Sequence, residues 1–178
     1  DLAESILGTN TCIYVLRHGI TTSGVVTEEE YQLSATEKAN LQMIVESFEN
    51  VVLVLNSNMV ELAQIARIKN IKAIILMGIA GMEAGNSLSD VLTGAVNPSG
   101  RLTATWAKKY KDYSTCYTPA VLNRNSQNNE IDYKEGIYVG YRYFDTFDVA
   151  PLYPFGYGLS YTSFDMKLEY LEASWMVV

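Results

Sequence analysis

The stretch SATEKANLQMIVESFENVVLVLNSNMVELAQIARIKNIKAIILM, residues 34–77, decides the fold. Ser34 and Glu37 have the spacing of a capping box, in which each side chain satisfies a backbone N–H of the first helical turn. Leu41, Ile44, Val45 and Phe48 follow at i, i+3, i+4 and i+7, one apolar helical face. Val51 to Leu55 is then apolar throughout and rich in β-branched residues, which predicts a buried strand. Asn58 with Glu61 repeats the cap signal, and Met59, Leu62, Ala63 and Ala66 give a second helical face. Ala73 to Met77 is a further buried strand. Upstream, Cys12-Ile-Tyr-Val-Leu16 reads as a strand of the same kind. Apolar strands alternating with helices predict an α/β fold: a largely parallel sheet with helices on both faces, a three-layer sandwich.

Downstream, Gly78, Gly81 and Gly85 do not match the dinucleotide-binding G-x-G-x-x-G, and close backbone packing at a strand-to-helix turn is the expectation. Met82 to Thr93 predicts a short helix with Gly94 as its C-cap. The second half changes character. Asn97-Pro98-Ser99-Gly100 is a turn, Lys108 to Asn129 is a polar excursion, and Tyr133 to Phe164 is a Tyr- and Gly-rich irregular region of extended segments and turns. Met166 to Leu171 alternates apolar and polar residues as a last strand would.

Composition narrows the function classes. The 178 residues carry a net charge of −7, which argues against binding nucleic acid or an anionic membrane surface. The hydrophobic share of 48% suits a packed core and excludes a disordered chain. No run reaches the roughly 18 apolar residues of a membrane span. The first residues lack the basic and apolar regions of a signal peptide, and location stays open. Cys12 and Cys116 make no disulfide framework and no metal motif surrounds them, so neither a metal nor a cofactor is expected.

Four segments in order resemble one family. Tyr31-Gln32-Leu33-Ser34 with Glu37 is the first. Gly81-Met82-Glu83-Ala84-Gly85 through Ser89-Asp90-Val91-Leu92-Thr93-Gly94 is the second. Asn97-Pro98-Ser99-Gly100-Arg101-Leu102 is the third. The fourth joins Glu135-Gly136-Ile137-Tyr138-Val139-Gly140-Tyr141-Arg142-Tyr143-Phe144 to Pro154-Phe155-Gly156-Tyr157-Gly158-Leu159-Ser160-Tyr161-Thr162-Ser163-Phe164. Together they resemble the α/β sandwich domain of glycoside hydrolase family 3, which includes β-glucosidases. The resemblance covers residues 3–167, starts in the middle of that domain, and so implies that its first strands are absent. It implies a sandwich domain over residues 1–165 and a lead-out strand or linker over 166–178.

It also implies a function. Family 3 enzymes place such a domain beside a (β/α)8 barrel that carries an Asp nucleophile. The expected substrate is a carbohydrate with a terminal β-linked sugar, hydrolysed with retention. Retaining glycosidases need two carboxyl groups about 5–5.5 Å apart. With the nucleophile on a barrel domain or partner chain, this chain alone is expected to be inactive. Relatives carry their acid/base Glu in a Ser-Gly-Glu-Gly stretch after an Arg much like Arg17. Counting forward from Arg17 puts Thr21 at that place, and a Thr cannot protonate a leaving oxygen near neutral pH. Counting back from Tyr31, the acids Glu28, Glu29 and Glu30 can reach the site. Glu28 and Glu29 are the candidate catalytic residues, and Arg17 and His18 the candidate substrate contacts.

Other readings stay beside this one. Three adjacent glutamates also suit a solvated loop between residues 17 and 33. His18 with Ser23 lacks a nucleophile elbow. Arg142 is expected to pair with Glu135 or Asp145, or to stack on Tyr rings. Tyr138, Tyr141, Tyr143, Tyr153, Tyr157 and Tyr161 suit a domain seam better than a sugar platform. The second function is a non-catalytic carbohydrate-binding or protein-interaction module. A nucleotide-binding flavodoxin-like domain is disfavoured, since no Gly-rich phosphate loop follows Leu16 or Leu55. A sheet without its first strands exposes an edge and an apolar face, so a partner chain, a dimer or poor solubility is expected.

Overall fold

The computed structural model describes residues 8–19, 27–114 and 135–170. Its centre is a parallel sheet ordered β1-β2-β3, formed by Thr11–Arg17, Asn50–Asn56 and Ile71–Leu76. Cys12 pairs with Val51 and Leu16 with Leu55, while Leu53 pairs with Ile74. The ladder shifts register between Val51 and Val52, and at its other end Met77 and Gly78 both donate N–H bonds to the Leu55 carbonyl. Gly78 makes that turn at φ 65°, a left-handed backbone that glycine adopts without a Cβ clash. Around Gly78, Gly81 and Gly85 an added Cβ would meet open space, so the expected close packing is corrected to this one conformational requirement.

Among the described residues, two helices precede β2. α1 is the single turn Glu28–Tyr31 and α2 is Ala35–Ser47. The Ser34–Glu37 capping box is present as its spacing predicts: the Ser34 N–H donates to Glu37 Oε2 at 2.7 Å and the Glu37 N–H to Ser34 Oγ at 3.2 Å. α2 buries Leu41, Ile44 and Val45 against the sheet face that carries Leu16, Val51, Leu53 and Leu55. Each such side chain contributes about 1.5–3 kcal/mol on burial.

The second cap signal misleads. Residues 58–66 form no α-helix, only a 3-10 turn at Ile65–Arg67. Val60 and Leu62 are buried while Glu61 between them is partly exposed, an alternation of period two. Tertiary partners take the backbone groups a helix would use. The Glu61 N–H donates to the Tyr31 carbonyl at 2.9 Å, and the Val60 carbonyl accepts from Trp106 Nε1 at 2.8 Å.

After β3, α3 is Ala84–Thr93, ended by Gly94 at φ 78° as its composition predicts. None of its residues is buried. On the sheet face opposite α2, Ile13 is 52% and Val15 47% exposed. In the second half a helical turn, α4 (Tyr141–Thr146), replaces part of the expected extended run. Residues 166–170 are exposed and belong to no strand, which corrects the expected last strand; Leu171 lies outside the described residues.

Two of the quoted segments lock together. The Leu102 N–H donates to the Tyr157 carbonyl and the Leu102 carbonyl accepts from the Gly156 N–H, while Trp106 and Tyr153 exchange both backbone bonds as an antiparallel bridge. Asn97 Oδ1 accepts from the Tyr161 N–H at 2.9 Å, and Arg101 Nη1 donates to the Leu159 carbonyl at 3.2 Å. Gly158 lies inside this seam. A Cβ there would meet the Gly100 carbonyl oxygen at 2.6 Å and Arg101 Cδ at 2.9 Å. Gly158→Ala should therefore destabilise by about 1–3 kcal/mol, because backbone has to move. A lower thermal midpoint checks this; an unchanged one would show that the seam yields freely.

Candidate functional site

In open parallel sheets, ligands bind outside the carboxyl ends of the strands. β1 delivers Arg17 and His18 to that end, and α1 brings its three glutamates beside them. The segment read as an exposed loop thus contains a helical turn. Acids suit its start, since the first turn of a helix presents unpaired N–H groups and partial positive charge. Thr27 caps it, and the Glu30 carboxylate folds back to accept from the Thr27 N–H at 2.9 Å. That bond occupies Glu30. The Glu28 carboxylate lies 3.9 Å from Lys111 Nζ, both exposed. Glu29 is exposed. Thr21 and Ser23 lie outside the described residues.

His18 is held inside the chain, its side chain only 11% exposed. Nδ1 sits 3.1 Å from each Glu37 carboxylate oxygen, and Nε2 sits 2.6 Å from the Glu30 carbonyl oxygen. Both nitrogens face acceptors, so a direct sugar contact through the ring would have to break one of these bonds. Arg17 is exposed at the strand end, in register with Asn56 of β2.

Burial of the Glu37 carboxyl works to raise its pKa, but bonds from the Ser34 N–H and hydroxyl, and then the bond and charge of His18, bring it below the ordinary value. A carboxyl depressed in the folded state contributes stability above the unfolded pKa, near 4.3, and loses it as pH falls through the folded value. The stability gap between the native chain and Glu37→Gln should therefore be full at pH 6 and shrink below about pH 4. Melting curves of both proteins across that range check it; a gap that widens in acid would reverse the sign.

On its other side the acidic turn rests on Tyr31. Its hydroxyl donates to the Ala107 carbonyl at 3.4 Å and lies 3.3 Å from the Tyr113 hydroxyl, which accepts from the Ala107 N–H at 3.0 Å. Burial pushes both phenols above their ordinary pKa, so both stay neutral and can donate. The rings of Tyr110 and Phe144 extend the cluster. The sequence reading missed Tyr113 and Lys111 here, and took Glu37 only as a cap. No local signal links them to a histidine or a turn so far along the chain.

His18 with Glu37 and Lys111 with Glu28 form ion pairs. Arg142 pairs with neither expected acid: its guanidinium lies over the Tyr141 ring at 5.8 Å, and Glu135 accepts from Ser114 Oγ at 2.8 Å. Glu83 and Asp90 form no common site; Glu83 accepts from the Asn86 amide, and the Asp90 carbonyl accepts from the Val96 N–H. Tyr141 and Phe155 contact at 5.6 Å and remain about half exposed.

The chain is 40% identical over 136 residues to thermostable beta-glucosidase B of Acetivibrio thermocellus, covering 75% of this chain and 17% of that protein. It is 37% identical over 152 residues to beta-glucosidase A of Butyrivibrio fibrisolvens, covering 82% and 18%. Beta-glucosidase 3B from Thermotoga neapolitana, solved with glucose, superposes with a TM-score of 0.75 at 33% identity over 90% of this chain and 23% of that one. The chain thus spans under a quarter of the length of these relatives. The matching family is the glycosyl hydrolase family 3 C-terminal domain, aligned over residues 5–141, and the chain belongs to it.

Proposed function

We propose that this chain forms part of a retaining β-glucosidase and borders an active site whose Asp nucleophile stands on a barrel domain. The observation that carries the reading is the family match over residues 5–141, with beta-glucosidases as the relatives named above. The chemistry fits the placement. A retaining glycosidase needs a second carboxyl group within about 5–5.5 Å of the first. The acidic turn at the end of β1 offers Glu28 and Glu29, since Glu30 is taken by its own cap. Arg17 is exposed at the same strand end, where its fixed planar donors suit sugar hydroxyls. The exposed rings of Tyr138, Tyr141, Phe147 and Phe155 supply the apolar seam against the barrel.

The test is a chimera in which this chain replaces the matching segment of the Acetivibrio thermocellus enzyme. The expected result is hydrolysis of p-nitrophenyl β-D-glucoside by the chimera and none by this chain alone. A folded chimera without turnover would overturn the reading and favour a non-catalytic module.

A further inference from the structure

We propose that Glu37 is a positioning residue, which holds the His18 ring so that its Nε2–H anchors the Glu30 carbonyl and fixes the acidic turn at the end of β1. The geometry is specific. A carbonyl oxygen can only accept, so Nε2 carries a hydrogen. The Glu37 carboxylate also accepts, with both oxygens 3.1 Å from Nδ1. The ring thus stands between two acceptors and bridges two elements.

Each end of the bridge is anchored by something else. His18 directly follows β1, whose Leu16 is in the core. Glu37 sits in the first turn of α2, fixed by the Ser34 cap and by the burial of Leu41, Ile44 and Val45. Between them lies the turn, residues 27–31, which His18 holds from one side and the Tyr31–Ala107–Tyr113 contacts from the other. The charged and titratable groups facing the bridge are the Glu37 carboxylate from α2 and, beside that carboxylate, the Tyr14 phenol from β1, which burial and the Glu37 charge both push up. The clamp explains why a polar ring with no free nitrogen is nearly enclosed at a strand end. Its consequence for catalysis rests on the reading of the acidic turn given above; the clamp itself does not.

The test uses the nitrogen-labelled 178-residue chain and amide NMR, compared with Glu37→Ala, Glu37→Gln and His18→Gln. The native chain should show a His18 imidazole N–H protected from exchange. Glu37→Ala should lose it and shift the amides of Thr27 to Tyr31, with those of β2 unmoved. Glu37→Gln keeps an acceptor for Nδ1–H and should restore part of the pattern. His18→Gln leaves the Ser34–Glu37 cap intact, so it separates the clamp from the helix: amides 27–31 must still move. Unmoved amides in His18→Gln would overturn the proposal even if Glu37→Ala unfolds α2. In the chimera, His18→Gln should lower kcat roughly 10- to 100-fold with KM nearly constant, as a misplaced catalytic group does. Amides that move with kcat unchanged would overturn the positioning role. An inactive parent chimera would count against the preceding section alone, since the amide shifts still decide the clamp.

Discussion

Trp106→Ala is expected to cost the domain about 3–5 kcal/mol, the usual penalty for emptying a large aromatic site in a core. Trp106 is 2% exposed and packs in the same cluster as Leu53, Leu55 and Val60. Its indole N–H also satisfies the buried Val60 carbonyl at 2.8 Å, and an orphaned buried carbonyl costs a further 1–3 kcal/mol or so. The backbone at Trp106 carries the bridge to Tyr153, so this one residue joins the sheet to the irregular half. Denaturant melts of the native chain, Trp106→Phe and Trp106→Ala check it. Trp106→Phe should fall between, because it keeps part of the ring volume and loses the hydrogen bond. A loss under about 1 kcal/mol for Trp106→Ala would mean that the second half does not depend on this anchor.

That residue also marks where sequence reading ends. Strands β1, β2 and β3 were legible because runs such as Val51 to Leu55 are apolar on both faces, a local property. The start of α2 was legible because Ser34 and Glu37 satisfy each other within one turn. The segment from Asn58 was not, because its choice between helix and extended chain is made by Tyr31 and Trp106, which lie far off in the chain. Trp106 itself stands among Thr105, Ala107 and two lysines, with no periodicity to mark it as core. The candidate site was half legible. Arg17, His18 and the three glutamates do share the end of β1, but the partners of His18 come from two separate elements. Of the two roles expected for Arg142, stacking on a Tyr ring is the one observed, on its chain neighbour Tyr141.

The largest expected effect on activity is at the acidic turn. In the chimera, Glu29→Gln should lower kcat on an alkyl β-glucoside about 10²- to 10⁴-fold, the range that general acid catalysis supplies. A substrate with a dinitrophenolate leaving group needs no proton, so its first step should hardly change. That contrast separates an acid from a residue that merely shapes the site. Glu29 is favoured over Glu28 because Glu28 reaches toward Lys111, whereas Glu30 is spent on the Thr27 cap. Glu28→Gln is the control: if it shows the leaving-group contrast and Glu29→Gln does not, the acid is Glu28. Equal, small losses on both substrates for both variants would remove the turn from the chemistry.

The most direct test of the account is a crystal structure of the chimera with glucose bound beside the barrel nucleophile. The account predicts the end of β1 at that sugar, with Arg17 within hydrogen-bond reach of a hydroxyl and a Glu28 or Glu29 carboxyl about 5–5.5 Å from the nucleophile. A glucose bound with the acidic turn more than about 10 Å from the nucleophile, beyond even the spacing of inverting enzymes, would contradict it.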